Sequence, residues 1–477
     1  MSLHNCPPEI IARSFHYLDA YTLIKCRDVC RRFSSVIAED SDLQYMIELY
    51  NSGMADEPQL FPELSTLERL DRLQTFLAAR RQPRQLGESN SSVTLEHPWT
   101  IGCQFRSRLF IRSLGDDTVI GITDPTEALR ENKKLVERRL VLPPLGGMFR
   151  QFCSDPDQDL LILMDGDSLP SMGFLILSLS GATPHPLAAF QDMELRGEHF
   201  DFEGGIDLDI FGDFLSVSYC SEMAESGRVV LVYNWKLGVK IFTSTTHESI
   251  VLFDSRYILS CIGENGDQYY LQVQELDTST VVLQLSLPRQ TKVQVHLING
   301  ASTIPQFPRR HHPRPFQTSP DHSMIFLFTG LPSSSTLTVI PRSALMDLVH
   351  QFTSTPLAGV PLLPWGTWPQ ISSLVPASYQ EAYISSAYGR RLALGTSWQL
   401  GYTSMGFTDA IPPIKIFEFD NEWITKGLST IQADDSSFTT VAFPEPVQEI
   451  QIAAPYGVRL DEDLLVVLGT TSQVLFL

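Results

Sequence analysis

Val230-Leu231-Val232-Tyr233-Asn234-Trp235-Lys236-Leu237-Gly238 is the stretch on which the fold reading turns. A run of apolar, mostly β-favouring side chains enters a polar-aromatic turn that a glycine closes, the pattern of a strand running into a hairpin. Outward from it the texture repeats. Short apolar runs stand at 160–164, 214–219, 258–262, 270–274, 324–328 and 464–468, separated by Gly, Pro, Asp, Asn and Ser. A turn containing Asp or Gly introduces a strand near residues 160, 214, 258, 324, 392 and 464, and second strands follow at 173–179 and 414–419. The runs are too short and too frequent to leave room for the crossover helices of a parallel sheet.

A unit recurring at this spacing, with variable insertions, predicts four-stranded sheets set around an axis. Residues 93–477 are therefore expected to form a large all-β domain, a six- or seven-bladed β-propeller, with an array of two-sheet sandwiches as the other arrangement. Tyr233-Asn234 and Gly238 resemble the end of a WD-type strand, and Gln274–Ser279 is a weaker echo, although no Trp-Asp dipeptide occurs in the chain.

The first fifty residues differ. Pro7 and Pro8 suit a first helical turn, where backbone donors have no intrahelical partner, and Asn5 is a candidate N-cap. Ile10, Ile11, Phe15 and Leu18 make one helical stripe, and Leu23, Cys26, Val29, Cys30, Phe33 and Ile37 make a second. Asp19 and Thr22 are capping types between them, Asp40-Ser41 restarts the pattern, and Gly53 is a C-terminal stop. Three or four short helices hold only by packing on one another, and this segment carries more apolar side chains than so small a core needs.

The run Cys6-Pro7-Pro8-Glu9-Ile10-Ile11, followed by L-x-x-C-x-x-V-C-R-R-F from Leu23 to Phe33, resembles the F-box. That resemblance implies binding to the Skp adaptor of a cullin-type ubiquitin ligase, with Pro7, Pro8, Ile11, Leu18, Leu23, Val29, Cys30 and Phe33 as adaptor contacts. It implies a substrate-recognition subunit of an SCF-type (Skp–cullin–F-box) ligase, whose β domain binds a protein target. A non-degradative scaffold bound to the adaptor is the alternative, and neither reading needs an enzyme or a cofactor. Phe33 stands where the family often has Trp. Residues 43–54 are similar to the extension that follows the F-box in fungal relatives.

The chain is thus expected as an F-box over 1–54, a helical linker over 55–92 and the β domain from 93. In the linker Leu64, Leu67, Leu70, Leu73, Phe76 and Leu77 keep a helical period, arginines including Arg69 decorate it, and Gly87–Ser92 reads as a hinge. With 55 acidic against 35 basic residues the net charge is −20, a field that disfavours nucleic acid. No long apolar run predicts a membrane span, and the N-terminus lacks a secretion-signal layout, so a cytoplasmic or nuclear location is expected. Seven scattered cysteines predict neither disulfides nor a zinc site, and Cys26 and Cys30 read as small buried apolar residues.

No nucleophile elbow, phosphate loop, zinc helix or kinase signature is present. Gly146-Gly147 and Gly204-Gly205 read as turns, and Asp165-Gly-Asp167 and Asp207-Leu-Asp209 as acidic turns that do not complete a calcium loop. His311-His312 lies in a basic, Pro-rich insertion. Trp365 and Trp368 read as a packing cap, with an exposed aromatic anchor as the other possibility.

Overall fold

The computed structural model describes residues 6–59, 61–81, 92–95, 103–114, 118–125, 136–143, 149–165, 172–190, 192–195, 206–220, 228–244, 247–264, 268–287, 296–299, 314–329, 336–353, 359–365, 367–368, 371–374, 384–388, 391–395, 414–418, 446–450, 457–460, 464–468 and 472–476. Four short helices come first: α1 (Pro8–Phe15), α2 (Ala20–Val29), α3 (Arg31–Glu39) and α4 (Ser41–Ser52). A three-residue strand, β1 (Met54–Asp56), and a longer helix, α5 (Thr66–Arg81), follow.

Among the described residues the remainder is seven sheets, each built on four antiparallel strands and one of them extended by a fifth. Sheet I is β3 (Cys103–Arg106), β4 (Leu109–Ser113), β5 (Val119–Thr123) and β6 (Glu137–Val141). Sheet II is β7 (Phe149–Asp155), β8 (Leu160–Asp165), β9 (Met172–Ser178) and β10 (Asp192–Leu195). Sheet III is β11 (Ile206–Phe211), β12 (Phe214–Cys220), β13 (Arg228–Asn234) and β14 (Val239–Ser244). Sheet IV is β15 (His247–Leu252), β16 (Tyr257–Glu264), β17 (Gln268–Glu275) and β18 (Val281–Ser286), with a short parallel fifth strand, β23 (Leu362–Leu363). Sheet V is β19 (His296–Asn299), β21 (Met324–Thr329), β22 (Thr336–Pro341) and β24 (Ile371–Leu374). Between its strands lie β20 (Phe316–Thr318), which pairs with β1, and a helix, α6 (Arg342–Thr353). Sheet VI is β25 (Ile384–Tyr388), β26 (Arg391–Gly395), β27 (Ile414–Glu418) and β28 (Pro446–Ile450). Sheet VII takes β29 (Gly457–Leu460), β30 (Leu464–Leu468) and β31 (Ser472–Phe476) from the end of the chain. Its fourth strand is β2 (Ser92–Leu95), from the start of the β region.

First strands of successive sheets lie side by side from β3 through β7 to β11, and again from β15 through β19, β25 and β29 back to β3. Sheets III and IV meet through β13 against β15. The ring is therefore closed, and β2 is its latch: a seven-bladed propeller.

The apolar runs of β8 and β13 are unbroken because these strands are buried on both faces. On β8, Leu160, Ile162 and Met164 pack toward sheet III with Leu215, Leu231 and Trp235, while Leu161 and Leu163 pack toward sheet I with Ile111 and Ile120. On β13 the same alternation sends Leu231 and Tyr233 to sheet II and Val232 to sheet IV, where it joins Leu252 and Ile258. One strand with a two-residue period thus feeds two cores, each fully buried aliphatic side chain stabilising by roughly 1.5–3 kcal/mol.

In sheets I to VI antiparallel order brings the strand ends that join first to second and third to fourth to one end of the ring, as it does the first and second strands of sheet VII. Bonds between turns stitch that end together. Ser107 Oγ donates to Asp157, Gln158 Nε2 to the Gly212 carbonyl at 2.9 Å, and buried Trp235 donates its Nε1–H to the same carbonyl at 3.0 Å. Gly238, at φ +67°, closes the β13–β14 hairpin through its N–H to Asn234 O at 2.8 Å. β20 and α6 emerge at this end, so the helical module is docked there.

Two expectations are corrected, and the packing-cap reading of the two tryptophans is kept. Asp207 and Asp209 lie inside β11 rather than in a turn. Arg69 is buried, because its guanidinium serves Asp56 and the Leu64 and Phe61 carbonyls. Trp368 is buried in the core between sheets IV and V, edge-on to Trp365 at 5.3 Å, which makes the pair a packing cap. The 87–92 hinge apart from Ser92, the two Gly-Gly pairs and His311-His312 lie outside the described residues.

Candidate functional site

The N-terminal helices owe their boundaries to local chemistry. Pro7, extended at φ −54° and ψ 146°, starts α1 with Pro8 inside its first turn and no side-chain cap; Asn5 lies outside the described residues. Asp19 caps α2, accepting from Thr22 N at 2.8 Å and Thr22 Oγ1 at 3.0 Å, bonds that hold its carboxyl below the ordinary range. Asp40 caps α4 through the Asp42 and Leu43 amides, and Gly53 ends it in the left-handed region at φ 70°.

The expected second stripe is broken. Cys30 is extended at φ −159° and ψ 158°, and splits the segment into α2 and α3. Ile11 and Leu23, both 0% exposed, form the core with Phe15, Val36, Ile37, Leu43 and Ile47. Leu18, Cys26 and Phe33 pack against it half-buried, Phe33 edge-on to Phe15 at 5.2 Å. Pro7 and Pro8 are exposed, Val29 is 69% exposed, and Cys30 is half-buried at the elbow. Cys26 and Cys30 are thus less buried than expected.

Three further apolar residues stand in the open: Ile10 at 52%, Tyr17 at 84% and Tyr21 at 56%. Tyr21, Lys25 and Val29 follow one another at four-residue steps on α2, and the Lys25 ammonium lies 5.3 Å from the Tyr21 ring centre. The apolar pattern counted Ile10 toward the core and passed over the tyrosines, although a helical wheel separating the Ile11 side of α1 from the Ile10 side would have exposed the difference. A concavity lined by Arg27, Asp28, Cys30, Arg31 and Ser34 among others adds a charged rim of both signs, with Arg27 4.0 Å from Asp28. Burying an exposed apolar side chain of this size is worth roughly 1.5–3 kcal/mol.

Among the described residues, His16, Asp40 and Asp42 place ligand-type atoms within 4.8 Å of one another. Asp40 is already engaged in capping α4 and in a 3.2 Å contact with His16 Nε2, which ties the end of α1 to the start of α4.

A charged cluster spans the inner strands of sheets I to III. Arg106, 3% exposed, donates to the Ile210 carbonyl at 2.8 Å and to Asp155 Oδ2 at 3.2 Å. Asp209 keeps its side chain open to solvent yet stands enclosed among these strands. That enclosure pushes its pKa up to about 6 against the opposing pull of Arg106. The arrangement braces three blades.

Residues 4–44 match the F-box-like family model. No curated protein sequence matches the chain. Solved structures similar to it include the WD40 domain of Toxoplasma gondii coronin, at 8% identity and TM-score 0.43, covering 81% of this chain and 86% of that one. The WD40 propeller domain of Doa1 is 8% identical with TM-score 0.38, covering 81% and 96%. The Dos1 propeller is 11% identical with TM-score 0.38, covering 83% and 81%. At those scores the blade count rests on the strand pairing of this chain itself. The chain carries a short helical F-box-like domain at its N-terminus, followed by a large all-β region.

Proposed function

We propose that this chain is the substrate-recognition subunit of an SCF-type ubiquitin ligase. The helical module binds the Skp adaptor, and through it cullin, while the propeller holds a protein target. The observation that carries the reading is the set of open apolar side chains (Pro7, Pro8, Ile10, Tyr17, Tyr21 and Val29) on a module matched as F-box-like. Adaptor contact falls on these residues and on the half-buried Leu18, Cys30 and Phe33, whereas Ile11 and Leu23 act by holding the core. The division proposed is 1–54 for the F-box, 55–92 for the linker and 93–477 for the propeller.

Catalysis here is proximity. The receptor brings target lysines within reach of ubiquitin carried by the other subunits, so transfer becomes effectively intramolecular and no residue of this chain needs to act on a bond. A closed ring suits the target-binding half, because its loops are presented on a rigid frame. A cytoplasmic or nuclear location follows from this reading.

Full-length chain co-expressed with the Skp adaptor tests it by size-exclusion chromatography. Co-elution as a one-to-one complex that recruits cullin and ubiquitinates a captured protein is the expected result. A complex with the adaptor that never ubiquitinates a partner would favour the non-degradative scaffold, and failure to co-elute would remove the adaptor reading.

A further inference from the structure

The helical module is tied to the propeller at a point the covalent chain does not dictate. β1 begins one residue after the Gly53 cap and pairs antiparallel with β20, in register Met54↔Thr318, Ala55↔Gln317 and Asp56↔Phe316. The pairing extends through Glu57 N to Pro315 O at 2.8 Å and Ser319 N to Gly53 O at 2.9 Å. Antiparallel alternation then makes Ala55 and Gln317 the hydrogen-bonded pair between them.

Apolar packing closes over the strands. Phe316, fully buried, joins Tyr45 and Leu49 of α4, Met54, and Leu70, Leu73 and Leu77 of α5. Beneath them Asp56 Oδ1 accepts from Tyr45 OH and from Arg69 Nη1, each at 2.9 Å. Outside them the Arg314 guanidinium lies 3.9 Å from the centre of the Phe76 ring, and Tyr50 meets His322 edge-on at 5.3 Å. The tie continues into the ring. Arg342, at the start of α6, donates from its backbone to Ser323 O at 3.1 Å, from Nη1 to Asp321 at 2.8 Å, and from Nε to Phe253 O of sheet IV at 3.2 Å.

We propose that the β1–β20 clasp is an orientation device: it fixes the helical module against sheets IV and V, so that module and ring turn as one body. The polar and apolar contacts run without interruption from α4 to the β15–β16 turn, and α5 is a strut packed on the clasp rather than a free spacer. This goes beyond the receptor reading and does not depend on which partner the helices take.

Two variants of the full-length chain test it. In Ala55→Cys/Gln317→Cys, paired residues of this kind stand at the separation a disulfide spans. Mild oxidation is expected to give near-complete 55–317 cross-linking, mapped by mass spectrometry, with an unchanged small-angle scattering profile. In Ala55→Pro, which removes a ladder donor, amide exchange at 315–319 is expected to rise by about tenfold or more. The scattering maximum dimension should grow, while β12 and β13 keep their wild-type protection. Absence of the 55–317 cross-link would overturn the proposal even if Ala55→Pro fails to fold. So would a folded Ala55→Pro chain with unchanged exchange and scattering. Adaptor co-elution is scored separately, so loss of the receptor reading leaves the clasp standing or falling on its own.

Discussion

The propeller and the helical module solve the problem of apolar surface in opposite ways. In the ring sheet II is covered by sheets I and III, so β8 buries five consecutive apolar residues, Leu160 to Met164, in two cores. In the module four short helices share one small core, and Ile10, Tyr17, Tyr21 and Val29 are left uncovered within thirty residues. A closed ring covers its own apolar strands; the four short helices leave part of theirs open. The difference separates residues that keep the fold from residues available to a partner, even when both lie on one apolar pattern.

The largest effect comes from opening the ring. A chain beginning at residue 97 lacks β2 and leaves sheet VII with three strands, whereas one beginning at residue 88 keeps the latch. The shorter chain is expected to lose its cooperative thermal transition or to precipitate, and the longer one to retain the transition; equal melting of the two would break the closure argument. Next is Arg106→Met, which takes from Asp155 its buried positive partner and from the Ile210 carbonyl a donor. Removing one partner of a buried ion pair costs about 3–5 kcal/mol, a loss that urea denaturation would read in the β domain. Leu23→Ala should cost about 2–5 kcal/mol within the helical module. Hydrogen exchange should show α1 to α4 deprotected while β12 and β13 stay closed.

A smaller effect is a pH dependence. The Asp209 carboxyl titrates at about 6 in the folded chain against 3.8 as the ordinary value. The folded state therefore holds a proton that the unfolded state has released between those values. Stability from this group is complete below pH 4 and is lost as pH rises through 6. Asp209→Asn should flatten the melting temperature between pH 4 and 7; an unchanged slope would assign the titration elsewhere.

Much of the ring was legible because its signal is local. The turns near residues 160, 214, 258, 324, 392 and 464 each introduce the second strand of a blade, from β8 in sheet II to β30 in sheet VII. Sheet I escaped because its first turn uses Ser107 and Arg108 at positive φ, 49° and 67°, where an Asp or Gly would have announced it. The blade number stayed between six and seven because the fourth strand of sheet VII comes from the far end of the region. Caps at Asp19, Asp40 and Gly53 were legible for the same local reason. Exposure was not. The apolar pattern puts Leu23 and Val29 on one stripe, but six residues along α2 set them about 120° apart, which leaves the first inside and the second outside. The β1–β20 pairing joins three-residue strands some 260 residues apart, with no periodicity to mark either.

Val29→Asp tests the central claim most directly, because its effect on the fold should be the smallest of all. An exposed substitution of this kind shifts stability by within about 0.5 kcal/mol, yet it places a charge on the surface assigned to the adaptor. Full-length Val29→Asp should melt as wild type and elute apart from the Skp adaptor under conditions where the wild-type chain co-elutes with it. Co-elution of the variant at wild-type affinity would contradict the assignment of that surface.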